Sequence, residues 1–582
     1  MFCALAGPAA PGALAAPEKT KPNILLIMTD DMGVWDLGSS GNRDIDTPAL
    51  DKLAQESVSF ARYYAAPVCS PTRAGLMTGR YALRTGLYNT RFGGDSLGRN
   101  EITLAQVLKA QGYRTGLFGK WHLGRYPGYQ PHQRGFDEFL GHYEGHIERY
   151  EFADQLVHNG HPVESRGYVT DLFTDAALEF IGTSSQQGAP FFCFLSFNAP
   201  HSPFLLETSH AHLAEGDALI SKYLKRGLAL REARIYAMVE RVDSNVARLL
   251  AQLAARGLDR DTVVLFMSDN GGVSRHWNAG LRGRKASTYE GGVLSPLFVR
   301  WPGRFPAGAV VRAQTSHVDI FPTLCELAGA SLPTDRVIDG RSFLPLLKAG
   351  AGESHQPFVY HVWDRLKPDP NANWAISDQR YKLVGPARQR SGEAPPWQLF
   401  DLANDPGEKK DISAAHPEIV AALRREFERW FADVTHGLEY APVPIPVGHA
   451  AEDTVELQPS WATLDSGVQY DFEGYDWDTL HGWPPTEAGA EWKLEVLQAG
   501  KYEVLLAYGC APSATGSRIF VRASDQEIAF TPSPTTTANV FIRTSLGEIT
   551  LKEGRQSLRL AVRDAPRGDG LRVNRLWLRR LP

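Results

Sequence analysis

Three short runs are apolar at almost every position: NILLIM (Asn23–Met28), PFFCFLSF (Pro190–Phe197) and TVVLFM (Thr262–Met267). A strand with one wet face alternates apolar and polar residues. A continuous run of this length instead predicts a strand covered on both faces. Between the second and third runs lies IYAMVERVDSNVARLLAQL. Its apolar positions Ile235, Met238, Val239, Val242, Val246, Leu249, Leu250 and Leu253 recur at helical spacing. Strand-like and helix-like segments alternate in this way from Pro22 to about Pro322. The pattern predicts an α/β domain built on a large, mostly parallel sheet, over residues 21–355.

Past Gln356 the texture changes. QRYKLV and WQLFDL read as short antiparallel strands, and a helix is expected from about Pro417 to Val434. Together they predict a smaller α+β subdomain over residues 356–440. APVPIPVGHA (Ala441–Ala450) is a proline-rich linker. Over residues 451–582, runs such as YEVLLAY, RIFVRAS, NVFIRTS and SLRLAVRD are split by Gly, Pro and Ser/Thr stretches. That spacing predicts an appended β-sandwich, either carbohydrate-binding or a structural cap on the α/β domain. No internal repeat is present. A length of 582 residues suits several domains, since a single core stops growing at roughly 250–300 residues.

Composition narrows the classes. Apolar residues make up 43% and charged residues 22%, the balance of a globular protein. A net charge of -5 with no block of like charges gives no reason to expect nucleic-acid binding. The cysteines Cys3, Cys69, Cys193, Cys325 and Cys510 are too scattered for a disulfide framework, and no pair has zinc-ligand spacing. No apolar run reaches the ~18 residues of a membrane span. The opening MFCALAGPAAPGALAAPEK is small and apolar, and Ala13-Leu14-Ala15 matches an A-x-A cleavage pattern without a positive n-region. Residues 1–20 are therefore expected to be a signal-peptide remnant or a disordered tail. The first reading implies export, to a periplasm or the medium.

Candidate chemistry gathers where the strands end. Asp30 and Asp31 follow the first apolar run, and Asp269 and Asn270 follow the third. Parallel α/β sheets place ligands at strand carboxyl ends. Hard oxygen donors suit Ca²⁺ or Mg²⁺ rather than zinc. Asp and Asn are also ordinary turn residues there; it is the two pairs together, with Cys69, that point to a site. In VCSPTRAGLMTGR, Ser70 is a good helix N-cap and Pro71 a good first helical residue. That arrangement puts Cys69 at a helix N-terminus with Arg73 near the first turn, a place for an anionic tetrahedral group.

Basic residues follow. FGKWHLG spaces Lys120 and His122 two apart, on one side of an extended segment. NAPHSP places His201 just past the second apolar run, and LRGRKASTYEGG carries Lys285 with Arg282 and Arg284. A lone loop lysine is usually solvated and a lone histidine usually structural; their company gives them weight. Tyr143, His276, Trp277 and Trp363 are candidates for contact with a sugar ring, and His146, with Tyr143, is a candidate for contact with a substrate.

In chain order, NILLIMTDDMG, CSPTRAGLMTGR, GKWHLG, MSDNGG and LRGRKASTYEGG resemble the signature blocks of the formylglycine-dependent sulfatases, arylsulfatase-like members of the alkaline phosphatase superfamily. The likeness runs from about Pro22 to Val434. It implies an alkaline-phosphatase-like α/β sandwich. It implies that Cys69 is oxidised to formylglycine by a formylglycine-generating enzyme that reads Pro71 and Arg73. It implies a Ca²⁺ site, or Mg²⁺, from Asp30, Asp31, Asp269 and Asn270, with residue 69 completing the shell. Arg73 would orient the nucleophile, and Lys120 and Lys285 would neutralise sulfate oxygens. His122 would act in resolving the covalent intermediate, and His201 would stand near the leaving oxygen. In the chemistry implied, one hydroxyl of a hydrated aldehyde attacks sulfur. Deprotonating the other then expels sulfate. The expected function is hydrolysis of sulfate esters on a sulfated glycan. The alternatives are a phosphonate monoester or phosphodiester hydrolase of the same superfamily, and a catalytically silent glycan-binding protein.

Overall fold

The computed structural model describes residues 21–204, 214–352, 355–364, 367–389, 391–392, 395–472, 474–475, 477–565 and 570–582. The expected signal-peptide remnant, residues 1–20, lies outside the described residues. The centre of the molecule is a ten-stranded sheet. Its principal strands are β1 (Asn23–Thr29), β2 (Arg114–Lys120), β3 (Glu138–His142), β4 (Phe191–Ser196), β5 (Thr262–Ser268) and β6 (Leu297–Arg300). They lie side by side in the order β6-β5-β1-β4-β2-β3. All neighbours in that order are parallel except β5 and β6.

The apolar runs are continuous because both faces of the sheet are covered. From β1, Leu25 and Ile27 enter one core with helices α2 (Val169–Gln186) and α3 (Leu230–Ala255); α1 (Cys69–Thr78) lies on the other side. Ile24, Leu26 and Met28 face that other side, beside Leu76 and Met77 of α1. All five β1 side chains are fully buried. Each such burial is worth roughly 1.5–3 kcal/mol, so the central strand is anchored from above and below.

Strands Val359–Val362, Trp374–Ser377, Tyr381–Gly385 and Gln398–Asp401 form an antiparallel sheet. The helix Pro417–Val434 packs on it through Leu423, Phe427 and Trp430. Lys382 of this sheet is buried between Glu290 and Glu408, at 2.7 and 3.1 Å. That contact ties the sheet to the chain just after Lys285. From Ile445 onward, two further sheets close around one apolar core. Tyr126 and Tyr129, from the loop after β2, belong to that core as well. Trp461 meets Tyr126 edge-on at 4.8 Å, and the Tyr126 hydroxyl donates to the Glu456 carbonyl at 2.8 Å. The β-sheet domain is thus seated directly on the loop that follows β2.

Candidate active site

The carboxyl ends of β1, β2, β4 and β5 reach one edge of the sheet, and the chemistry collects there. Asp30 and Asp31 leave β1, Lys120 ends β2, and Asp269 and Asn270 leave β5. Asp31 has φ 72°, a left-handed conformation. Its amide donates to Asp269 Oδ1 at 3.2 Å. The glycines of MSDNGG are required by close approach. A Cβ on Gly271 would lie 2.2 Å from the Gly291 carbonyl oxygen, and one on Gly272 would lie 2.6 Å from the Gly33 nitrogen.

Three cations face three carboxylates, and two of the pairs are fully out of water. Lys120 Nζ bonds Asp30 Oδ2 at 2.6 Å, both fully buried. Arg73 grips Asp269 Oδ2 through Nε and Nη2, at 3.1 and 2.8 Å. Its Nη1 donates to the Lys120 carbonyl at 3.0 Å and to Ser196 Oγ at 2.6 Å. Lys285 Nζ reaches Asp31 Oδ1 at 2.6 Å. Burial pushes the Asp31 carboxyl up, but Lys285, His201 and the Asn270 amide outweigh it and hold it at about 2. Burial and then the charge of Asp30 push Asp269 up to about 6, against the pull of Arg73.

Two acceptor atoms in this cluster are buried without a hydrogen-bond partner, Asp30 Oδ1 and Asn270 Oδ1. Unpaired buried acceptors are costly and rare. One ligand atom from each of Asp30, Cys69 and Asp269 lies within 4.8 Å of the others, as do atoms of Asp30, Asp31 and His201. Converging hard oxygens with unused lone pairs fit a divalent cation of the Ca²⁺ or Mg²⁺ type. Asp30, Asp31, Asp269 and Asn270 are the residues that would hold it.

Cys69 is the first residue of α1 and is buried. The expected cap is not what begins this helix. Val68 is the N-cap, with extended φ and ψ, and Ser70 lies inside the helix, its hydroxyl donating to the Asn89 carbonyl at 2.8 Å. The cysteine still occupies the helix N-terminus, because the start moves toward it. Burial pushes the Cys69 thiol up despite Lys120 and Lys285. The unmodified side chain is a neutral thiol and a poor nucleophile.

The segment after β2 also departs from expectation. Lys120 ends the strand, and His122 has φ 60°, so the two are not alternate residues of one extended stretch. The Trp121 and His122 amides instead bond the His142 and Tyr143 carbonyls. His122 Nε2 must donate to the Thr90 carbonyl at 2.9 Å, which leaves Nδ1 bare, buried and unpartnered. Burial, then Lys120, holds its pKa well below the ordinary value. His201 Nδ1 donates to the Ser202 carbonyl at 2.7 Å, and Nε2 faces Asp31 Oδ2 at 3.6 Å. Burial and then Lys285 pull His201 down to about 3.

A cleft of about 480 Å³ opens on this cluster. Asp31, Cys69, His201 and Lys285 line it, as do His146, Trp363 and Arg284. Asp30, Arg73, Lys120, His122, Asp269 and Asn270 lie behind that lining, and four of the residues expected at the substrate do not reach the cleft. Tyr143 stacks on Phe139 at 5.4 Å. His276 bonds Asp44 at 2.8 Å, and Trp277 lies beside Gly41. Arg282 lies over the Tyr289 ring at 4.1 Å, its charge turned to the antiparallel sheet. Other contributors carry no sequence signal. Ser196 seats Arg73, Asn198 bonds His142, and Tyr475 of the β-sheet domain lines the cleft.

Residues 22–330 match the family model described as sulfatase. Residues 284–433 match the C-terminal model of N-sulphoglucosamine sulphohydrolase. Mouse steryl-sulfatase is 32% identical over 525 residues, covering 71% of this chain and 83% of the relative. Mouse N-acetylgalactosamine-6-sulfatase is 32% identical over 474 residues, covering 71% and 86%. Among solved structures, Ps i-CgsB, known alone and in complex with k-i-k-neocarrahexaose, superposes with a TM-score of 0.64 at 30% identity, covering 72% of this chain and 95% of its own.

Proposed function

The chain belongs to the sulfatase family, and on that premise we propose that it removes sulfate from a sulfated carbohydrate, using a formylglycine made from Cys69 and one bound Ca²⁺ or Mg²⁺. Hydrolysis of sulfate esters follows from the family. The nucleophile, the cation and the sugar are the proposal. The observation that carries it is that Cys69, at a helix N-terminus, opens on the same cleft as Asp31, His201 and Lys285.

The hydrated formylglycine would supply two hydroxyls, one to attack sulfur and one to release sulfate afterwards. Bound by Asp30, Asp31, Asp269 and Asn270, the cation would add positive charge beside the sulfuryl oxygens. The rest falls to the chain itself. Arg73, fixed by four hydrogen bonds, holds Asp269 and the first turn of α1 in register with β2 and β4. Lys120 and Lys285 are fixed charges where negative charge develops. The bare Nδ1 of His122 can accept a proton, which suits the step that releases sulfate. His201 and Lys285, at the open side of the cluster, are placed for the leaving oxygen. The His201 imidazole is neutral in the free protein, and an entering sulfate ester brings the negative charge that favours its protonation.

A carbohydrate is favoured by the cleft's charge. Arg91, Arg231, Arg275 and Arg284 line it, which suits a substrate with more than one anionic group. A sterol would need an apolar wall instead. Among the described residues no helix is long and apolar enough to cross a membrane. Export to a periplasm or the medium, with maturation by a formylglycine-generating enzyme, completes the proposal.

The test is a panel of sulfated mono- and oligosaccharides, steryl sulfate, and phosphate and phosphonate esters. Turnover confined to phosphonate monoesters or phosphodiesters would replace this reading with the hydrolase alternative. Binding of saccharides without any turnover would make the protein a silent glycan binder. His201→Ala gives a sharper result. A sugar alkoxide leaves poorly without a proton, whereas nitrophenolate needs none. General-acid help is worth ~10²–10⁴ in rate. The variant should lose that factor in kcat/KM on the sugar sulfate and far less on nitrophenyl sulfate. Equal losses on both would assign His201 to sulfate binding.

A further inference from the structure

Both family models end before the β-sheet domain begins: the second stops at residue 433, and the domain's first strand is Ile445–Val447. Yet this domain reaches the cleft. Between two short strands, Gln469–Tyr470 and Leu480–His481, the described residues are Asp471, Phe472, Gly474, Tyr475, Trp477, Asp478 and Thr479. Several of them are bonded to one another. The buried Asp478 carboxylate accepts the amides of Phe472, Gly474 and Thr479, at 3.1, 2.8 and 2.9 Å. Asp471 is pinned at the other end by Arg572.

The loop presents two rings to the catalytic edge. Tyr475 lines the cleft together with Cys69. Trp477 lies parallel to it, 5.0 Å between ring centres at 8°. His146 meets Tyr475 edge-on at 4.7 Å and His201 at 4.6 Å, so one chain of rings runs from the β-sheet domain to the leaving-group side. The Arg91 guanidinium lies over the Tyr475 ring at 5.1 Å. Phe92, next to it, stacks on Tyr470 at 6.0 Å. The loop carrying Thr90, the partner of His122, is therefore clasped by the same domain.

We infer that the β-sheet domain supplies part of the substrate site, Tyr475 being the surface on which the sugar ring of the sulfate ester packs and Trp477 the ring that holds Tyr475 in place. The inference rests on the sulfated-carbohydrate reading above. The chemistry favours a sugar. Trp477 parallel to the Tyr475 ring and the Arg91 guanidinium over it leave the rest of this half-buried ring to the cleft, where it offers an aromatic surface to the C–H groups of a sugar and a neighbouring charge to its anionic groups. Neither ring is needed in a core, since both are only half buried. The site is distinct from the sulfate pocket, which is built by strand ends of the central sheet.

The test uses the full-length protein and four variants: Tyr475→Ala, Tyr475→Phe, Trp477→Ala and Trp477→Phe. The probes are N-acetylgalactosamine 6-sulfate, glucosamine 2-N,6-O-disulfate and a carrageenan hexaose, with inorganic sulfate as a competitive inhibitor. For whichever saccharide the wild type cleaves, Tyr475→Ala should raise KM about tenfold, as expected for loss of a ring contact. The kcat value and the inhibition constant for inorganic sulfate should stay within about threefold of wild type, by the same arithmetic. Tyr475→Phe should keep the wild-type KM. Trp477→Ala should raise KM, and Trp477→Phe should restore it. Should Tyr475→Ala fail to fold, Tyr475→Leu fills the space without a flat ring and reads the same loss. An unchanged KM in Tyr475→Ala overturns the inference and leaves the carbohydrate reading standing. A raised inhibition constant for sulfate also overturns it, because Tyr475 would then act on the pocket's structure. A wild type that cleaves steryl sulfate but no saccharide overturns both.

Discussion

Cys69→Ala is expected to lose sulfate-ester hydrolysis entirely, on sugar and nitrophenyl sulfates alike, while keeping its fold. The two halves of that result have different causes. Residue 69 is the nucleophile of the proposed reaction, and deleting a nucleophile can cost about 10⁶ in kcat. A good leaving group cannot rescue its loss, which separates this variant from His201→Ala. The structural effect is small by comparison. Measured against wild-type protein whose Cys69 is unmodified, replacing the thiol side chain by a methyl removes a single heavy atom and leaves no polar group stranded, so about 1 kcal/mol is the expected scale. Melting temperature and circular dichroism should match that unmodified wild type closely. Peptide mass spectrometry on active wild-type protein should show the residue-69 peptide lighter than its thiol form. Fully active protein whose Cys69 is wholly unmodified would sink the formylglycine assignment, and a Cys69→Ala protein with measurable turnover would sink the nucleophile itself.

What the sequence made legible was set by local pattern and by strand ends. Runs such as Ile24–Met28 announced strands covered on both sides, since only such strands can be apolar at successive positions. Asp30, Asp31, Asp269 and Asn270 were legible because a parallel sheet gathers the residues that follow its strands. Details of backbone direction were not. Val68 rather than Ser70 caps α1, because the Ser70 hydroxyl finds the Asn89 carbonyl, a partner 19 positions away in sequence. The positive φ of His122 breaks the two-residue alternation that an extended segment would have kept. Arg282 and His276 carry the right charges near the right motifs, yet Tyr289 and Asp44 engage them elsewhere. Tyr475 had no local signature. It meets His146 only because the β-sheet domain docks on Tyr126 and Tyr129, a contact that no periodicity records.

Removing the divalent cation is the other change expected to have a large effect, and it should be felt in both stability and rate. Three buried carboxylates, Asp30, Asp31 and Asp269, face three buried or nearly buried cations, yet Asp30 Oδ1 and Asn270 Oδ1 still lack partners. A bound Ca²⁺ would use those lone pairs and relieve the repulsion between Asp30 and Asp269 that helps push Asp269 up to about 6. A ligand that binds only the folded state stabilises it by about 4 kcal/mol at a thousand times its Kd. Dialysis against a chelator should therefore lower the melting temperature by several degrees. It should also cost at least ~10² in kcat, since a Lewis-acidic ion contributes several kcal/mol of transition-state stabilisation. Added Ca²⁺ should restore both. Asn270→Ala should weaken the cation's affinity without touching the Arg73–Asp269 pair, so excess Ca²⁺ should rescue it. Asp269→Ala strands the Arg73 guanidinium and should not be rescued. Elemental analysis of untreated protein should find about one Ca²⁺ or Mg²⁺ per chain. Two zinc ions would place the chemistry with the two-metal phosphatases. A protein free of metal, with activity and melting temperature indifferent to chelator, would mean that Lys120, Lys285 and Arg73 carry the whole charge of the sulfate pocket.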